Sequence, residues 1–120
     1  MASKQVEREF ALYAADLLQG VGPVVAKPMF GGFGLFLEGL MFGLIADSTL
    51  YFKVDEVSKS DFAELGMEPF TYLKQNKSMQ LSYWQAPDEC LENNEAMIQW
   101  GNKAFLAAIR VAAKKSKKSK

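Results

Sequence analysis

The sequence predicts an α+β fold: an antiparallel sheet of five to six strands accompanied by helices, in the order α-β(3-4)-α-β(2)-α. Three observations predict it. Both ends of the chain repeat apolar residues at three- and four-residue steps, the signature of amphipathic helices. Between Val24 and Val54 the pattern changes to short β-rich runs joined by turns too short to hold a crossover helix, so neighbouring strands run antiparallel. A second pair of alternating runs follows a short capped helix.

The elements can be justified in chain order. Val6, Phe10, Tyr13, Ala14 and Leu17 form the apolar stripe of a first helix, with Lys4, Glu7, Arg8 and Asp16 mainly on its other side. Ser3 is placed to cap its start, and Gly20 and Gly22 to end it. The run VVAKPMF is broken by Gly31-Gly32, FGLFLE meets LMFGLIA across Glu38-Gly39, and Asp47-Ser48 leads into TLYFKV. Ser58 and Asp61 make a capping-box pattern for a short helix through Phe62 and Leu65, which Gly66 stops. FTYLKQ and SMQLSYW are the next two strands, joined at Asn76-Lys77. Pro87 starts a short helical turn, and Asn93 or Asn94 caps a long last helix carrying Met97, Trp100, Ala104, Ala107 and Val111 at core spacing.

Composition narrows the function. At 120 residues and 49% hydrophobic content the chain suits one globular domain. No apolar run approaches the ~20 residues of a membrane helix, and no basic-then-apolar leader opens the chain. Cys90 is the single cysteine, so no intrachain disulfide forms and the cytoplasm is the expected compartment. Histidine is absent, which removes histidine triads and the commonest zinc ligand. Acidic neighbours Asp88, Glu89 and Glu92 disfavour a Cys90 thiolate. We therefore expect no catalytic residue, no metal and no cofactor, and a protein that is not an enzyme.

The formal net charge of zero conceals an asymmetry. Residues 114–120 hold five lysines and no acid, which leaves nine basic against fourteen acidic residues elsewhere, a body of −5 and a tail of +5. The predicted division is a folded domain over 1–113 and a disordered basic tail over 114–120. Lys114, Lys115, Lys117, Lys118 and Lys120 could attract phosphates, giving weak nonspecific nucleic-acid binding.

Other motifs weigh differently. The glycines of Phe30-Gly31-Gly32-Phe33-Gly34 feed a strand rather than a helix N-terminus, so they serve a bulge or tight turn and not a phosphate cradle. Asp47, Asp55 and Glu56 lie near strand ends and read as turn and cap residues. Alternation places Tyr51, Lys53, Tyr72, Lys74 and Trp84 on one sheet face if the registers align, with Met79, Leu81 and Tyr83 on the other. Such a face suits a protein partner, a homodimer, or stacked single-stranded bases.

These pieces in this order, KPMFGGFGLFLEGLMFGLIADSTLYFKVD, MEPFTYLK and MQLSYWQAPDECLENNEAMIQWGNKAFLAA, resemble the N-terminal domain of the TfoX/Sxy family over about residues 9–113. Met29, Phe30, Gly31, Gly32 and Gly34, with Lys53 and Asp55, carry the most specific part of the likeness. The resemblance implies two layers, with the helices on one sheet face. It also implies a non-catalytic regulatory module of the kind tied to natural competence, acting through protein contacts. The alternative is a nucleic-acid-associated accessory factor using the tail and the aromatic/lysine face. The family's competence regulators carry a second, C-terminal domain, whereas the likeness here accounts for a single-domain member.

Overall fold

Three tight turns organise the sheet, each with both central residues at positive φ. They are Glu38-Gly39 (51° and 81°), Asp47-Ser48 (50° and 55°) and Gln75-Asn76 (52° and 65°). Positive φ at both positions gives the turn a twist that matches that of the flanking strands, so each connects neighbours directly. The computed structural model describes residues 4–29 and 31–118. Its order is α1 (Lys4–Leu17), β1 (Val25–Met29), β2 (Gly32–Leu37), β3 (Leu40–Ala46), β4 (Thr49–Lys53), α2 (Lys59–Glu64), β5 (Pro69–Lys74), β6 (Lys77–Gln85) and α3 (Asn94–Lys118). Short 3-10 turns occupy Leu18–Gly20 and Asp88–Leu91. The strands form one sheet in the order β1-β2-β3-β4-β6-β5, every neighbouring pair antiparallel.

One face of this sheet is the core. Phe33, Leu35, Leu37, Ile45, Leu50, Phe52 and Val54 point from it toward α1, α2 and α3. A bulge adds to it: Leu35 and Phe36 pair with Gly43 and Met41, so Phe42 is an extra residue in β3. Phe42 is fully buried, stacked on Phe52 at 6.5 Å and edge-on to Phe105 of α3 at 5.8 Å. Trp100 anchors α3 as its spacing predicts, edge-on to Phe62 of α2 at 4.9 Å, with its Nε1–H donating to Glu89 Oε1 at 3.3 Å. Burying one such side chain contributes ~1.5–3 kcal/mol.

Four local expectations are corrected. α1 is turned relative to the stripe read from its sequence: Val6 and Tyr13 are each 49% exposed, while Glu7 is buried. The reason is chemical. Glu7 Oε1 accepts hydrogen bonds from the Ser48 N–H and, at 3.1 Å, from the Ser48 hydroxyl, holding the positive-φ turn. Tyr13 instead donates to the Leu91 carbonyl at 3.0 Å.

Ser58 precedes α2 but makes no side-chain cap bond to it. The reciprocal box is built upstream, where Asp55 Oδ1 accepts from the Ser58 N–H at 3.1 Å and the Asp55 N–H donates to Ser58 Oγ at 3.2 Å. Gly66 (φ 76°) closes α2 as expected, its N–H reaching the Ala63 carbonyl while that of Met67 reaches Phe62.

The β5–β6 turn is Gln75-Asn76, one residue earlier than predicted, and Lys77 opens β6 opposite Lys74. Finally, α3 continues to Lys118, so residues 114–118 are helix and not a disordered tail. Alanine and lysine are both good helix formers, and propensity carries the helix past the last core contact. Asn93 caps its start, Oδ1 accepting from the N–H groups of Glu95 (2.9 Å) and Ala96 (3.2 Å). Ser3, Phe30 and Lys120 lie outside the described residues.

Candidate functional site: the open face of the sheet

A two-residue turn makes the residues on either side of it direct partners, and direct partners share a face. The Gln75-Asn76 turn pairs Tyr72 with Met79, so Phe70 and Tyr72 of β5 go with Met79, Leu81 and Tyr83 of β6. The β4–β6 register pairs Lys53 with Tyr83, Tyr51 with Gln85, and Phe52 with Trp84. Tyr51, Lys53 and Tyr72 therefore share the open face as expected. Trp84 does not: it falls on the helix side with Phe52 and packs against the core. Met79, Leu81 and Tyr83 replace it, which reverses the expected placement of β6. Lys74 ends β5 opposite Lys77.

The open face holds an apolar groove of about 540 Å³. Met29 of β1 and Phe70 and Tyr72 of β5 line the same groove although they come from opposite edges, so the sheet is curled around it. Met41, Leu44, Leu81 and Tyr83 complete its walls. Gly34 shapes one side, since a Cβ there would sit 2.6 Å from Met29 Sδ and 3.1 Å from Met41 Sδ. The aromatic wall is ordered by ring contacts: Tyr51 lies edge-on to Phe70 at 5.0 Å, and Phe70 stacks on Tyr72 at 6.3 Å. Tyr83 donates to the Met41 carbonyl at 3.2 Å, and burial pushes its hydroxyl up to about 12. Burial, then the nearby Asp47 carboxylate, raises the Tyr51 hydroxyl as well.

Lys53 stands at the rim, its ammonium 5.0 Å from the Tyr83 ring centre and donating to Ser82 Oγ at 2.7 Å. Its pKa is lowered by burial first and by Lys115 second, with Asp55 opposing. On the helix side a polar cleft of about 400 Å³ runs between β6 and α3, lined by Asp55, Lys59, Gln80, Trp84, Arg110 and Lys114. Asp55 is committed there to structure. Arg110 donates from Nε to Oδ2 at 2.6 Å and from an Nη to Oδ1 at 3.0 Å, and this pairing holds the carboxyl down at about 2. Lys117 and Lys118 lie in the last turn of α3.

The remaining motif residues are structural. Gly31 takes φ 77°, and Gly32 leaves no room for a side chain, because a Cβ would lie 2.0 Å from the Ile45 carbonyl oxygen. The Cys90 thiol is buried and pushed up to about 12 by that burial and by Glu89. Among the described residues no three cysteine or acidic side chains gather in a way that could hold a metal ion.

The geometry defines a class: a small two-layer α+β domain whose helices seal one sheet face and leave the other as a curled apolar surface. Residues 16–108 match the family described as the TfoX N-terminal domain, and the chain belongs to that family. It is 38% identical over 78 residues to the DNA transformation protein TfoX of Haemophilus influenzae, covering 63% of this chain and 36% of that protein. It is 32% identical over 73 residues to the DNA transformation protein TfoX1 of Aliivibrio fischeri, covering 61% and 35%. The likeness thus spans about a third of the length of each relative. No helix among the described residues is long and apolar enough to cross a membrane.

Proposed function

We propose that this domain is a non-catalytic binding and regulatory module of the competence-related kind, acting in the cytoplasm through protein contacts on the open face of its sheet. The observation that carries it is the groove, walled by Met29, Met41, Leu44, Phe70, Tyr72 and Leu81 and uncovered by any helix. Aromatic and methionine side chains are enriched where proteins meet, and methionine adapts to an irregular partner. The names of the two relatives support the competence-related part. A protonated Cys90, an Asp55 locked to Arg110 and the lack of histidine support a role without chemistry.

An affinity pull-down from the source cell tests this, with wild type, Tyr72→Glu/Leu81→Glu and a 114–120 deletion as baits. The specific partner is expected on the truncated bait and lost from the charged-groove bait. Equal capture by the groove variant would sink the proposal.

A second reading, weak nucleic-acid binding, is favoured by one observation. α3 stays helical past residue 113 and brings Lys114 to the cleft that already holds Lys59 and Arg110. With about four phosphates engaged, raising salt from 50 to 200 mM weakens such binding by roughly 10²-fold, with no dependence on sequence. Titrating DNA and RNA at two salt concentrations, with and without residues 114–120, tests it; binding that ignores both salt and truncation would refute it.

A further inference from the structure

The two edges of the sheet are not equivalent. β1 carries Lys27 and Pro28 in its interior, and proline has no N–H to extend a ladder, so this edge is blocked. β5 has its proline only at its first position, Pro69, and the two N–H groups that point away from β6, those of Thr71 and Leu73, remain able to donate. β5 is also poorly supported from inside. β4 pairs with β6 at Tyr83, Trp84 and Gln85, and the Val54 N–H reaches the Ser82 carbonyl at 2.9 Å, so the hairpin projects beyond the sheet only from Leu81 toward its turn. There Tyr72, Met79 and Leu81 are 36–40% exposed. A two-stranded ribbon is marginal by itself, and further strands stabilise it.

We infer that the domain forms a two-fold homodimer by antiparallel pairing of β5 with β5 of a second copy, joining two sheets edge to edge. This rests on the protein-contact reading and names a second copy of the chain as one partner. A strand meets its own copy antiparallel about a two-fold axis, so the surface needs only to be self-complementary. Charge indicates the register. Within one copy Lys74 is the register partner of Lys77 across the turn, so β6 offers it no residue of opposite charge. An axis through Thr71 sets Glu68 of the second copy opposite Lys74, and Lys74 of the second copy opposite Glu68. Glu68 is exposed, and its carbonyl still accepts from Gln85 N–H at 2.8 Å, so the ladder extends that far. The same axis sets Phe70 opposite Tyr72 of the second copy, extending the aromatic wall of each groove into the other.

Sedimentation at micromolar concentration tests the dimer with wild type, Glu68→Lys, Lys74→Glu, the double variant and an equimolar mixture of the two single variants. Each single change sets like charges together at both ends of the seam and is expected to weaken self-association about tenfold or more. The double variant restores opposite charges and is expected to dimerise like wild type. The mixture is expected to form a heterodimer, because each variant supplies the charge that the other lacks. Circular dichroism of the single variants checks that they remain folded. A wild type that stays monomeric overturns the inference, as does a dimer indifferent to both single changes or one that neither the double variant nor the mixture recovers. A monomer that still captures its partner in the pull-down would overturn the dimer alone and leave the protein-contact reading standing.

Discussion

The helix-covered face and the open face are made by the same six strands, yet they ask different things of their residues. Phe42, Phe52, Leu35 and Ile45 are wholly buried on the covered side. Across the sheet Tyr72, Met79 and Leu81 keep over a third of their surface in water. β6 passes from one regime to the other along its length: Tyr83, Trp84 and Gln85 are flanked by β4, and the residues before them are exposed on both faces. Stability is concentrated on the covered face, which leaves the open one free to be shaped for contact. Interaction residues can vary cheaply only where they do not hold the fold together.

Mutations on the two faces should separate accordingly. The largest loss is expected from Trp100→Ala, about 3–5 kcal/mol in chemical denaturation, because it empties the junction of α2, α3 and the 88–91 turn. A variant of near wild-type stability would break the comparison.

Asp55→Asn is expected next, at ~1–2 kcal/mol, since it weakens the tie between the segment that follows β4 and α3. The sign with pH follows from the depressed carboxyl. The folded pKa of about 2 lies below the ordinary 3.8, so the contribution is full above that ordinary value and fades as pH falls through about 2. Wild type and Asp55→Asn should therefore converge in stability as acid is added over that window. A gap that persists at the acid end would place the effect elsewhere.

Leu81→Ala sharpens the contrast from the open side. It should cost under ~1 kcal/mol, since the side chain already keeps 36% of its surface in water, while reducing partner capture. Smallest of all is deletion of 114–120, expected to shift Tm by only a few degrees, because Lys114 and Lys115 are exposed. A large drop would show that the end of α3 holds the acidic body.

The elements were legible because they rest on local rules. Two of the sheet's turns, α2 with its Gly66 stop, and the Met97/Trp100/Ala104 face of α3 follow from φ preference and periodicity. The open face was half legible. Alternation puts Tyr51 and Tyr72 on it correctly and separates Trp84 from Tyr83, but it assigns Trp84 to that face where the strand register places Tyr83. The even length of that turn was the available signal, since it joins even positions of β5 to odd positions of β6.

Other features carry no local trace. Glu7 reads as a solvent-facing helix residue, and it is buried because a turn forty-one positions away presents an N–H and a hydroxyl that need an acceptor. Arg110 finds Asp55 across fifty-five positions for the same kind of reason. The sequence by itself determined which segments are helix and strand and where they break, since backbone sterics and hydrophobic period act within a few residues. Only the tertiary structure decided how α1 is rotated, which face β6 presents and how the two edges of the sheet gather around one groove. Those depend on strand register, curl and charge pairing between segments that meet only after folding.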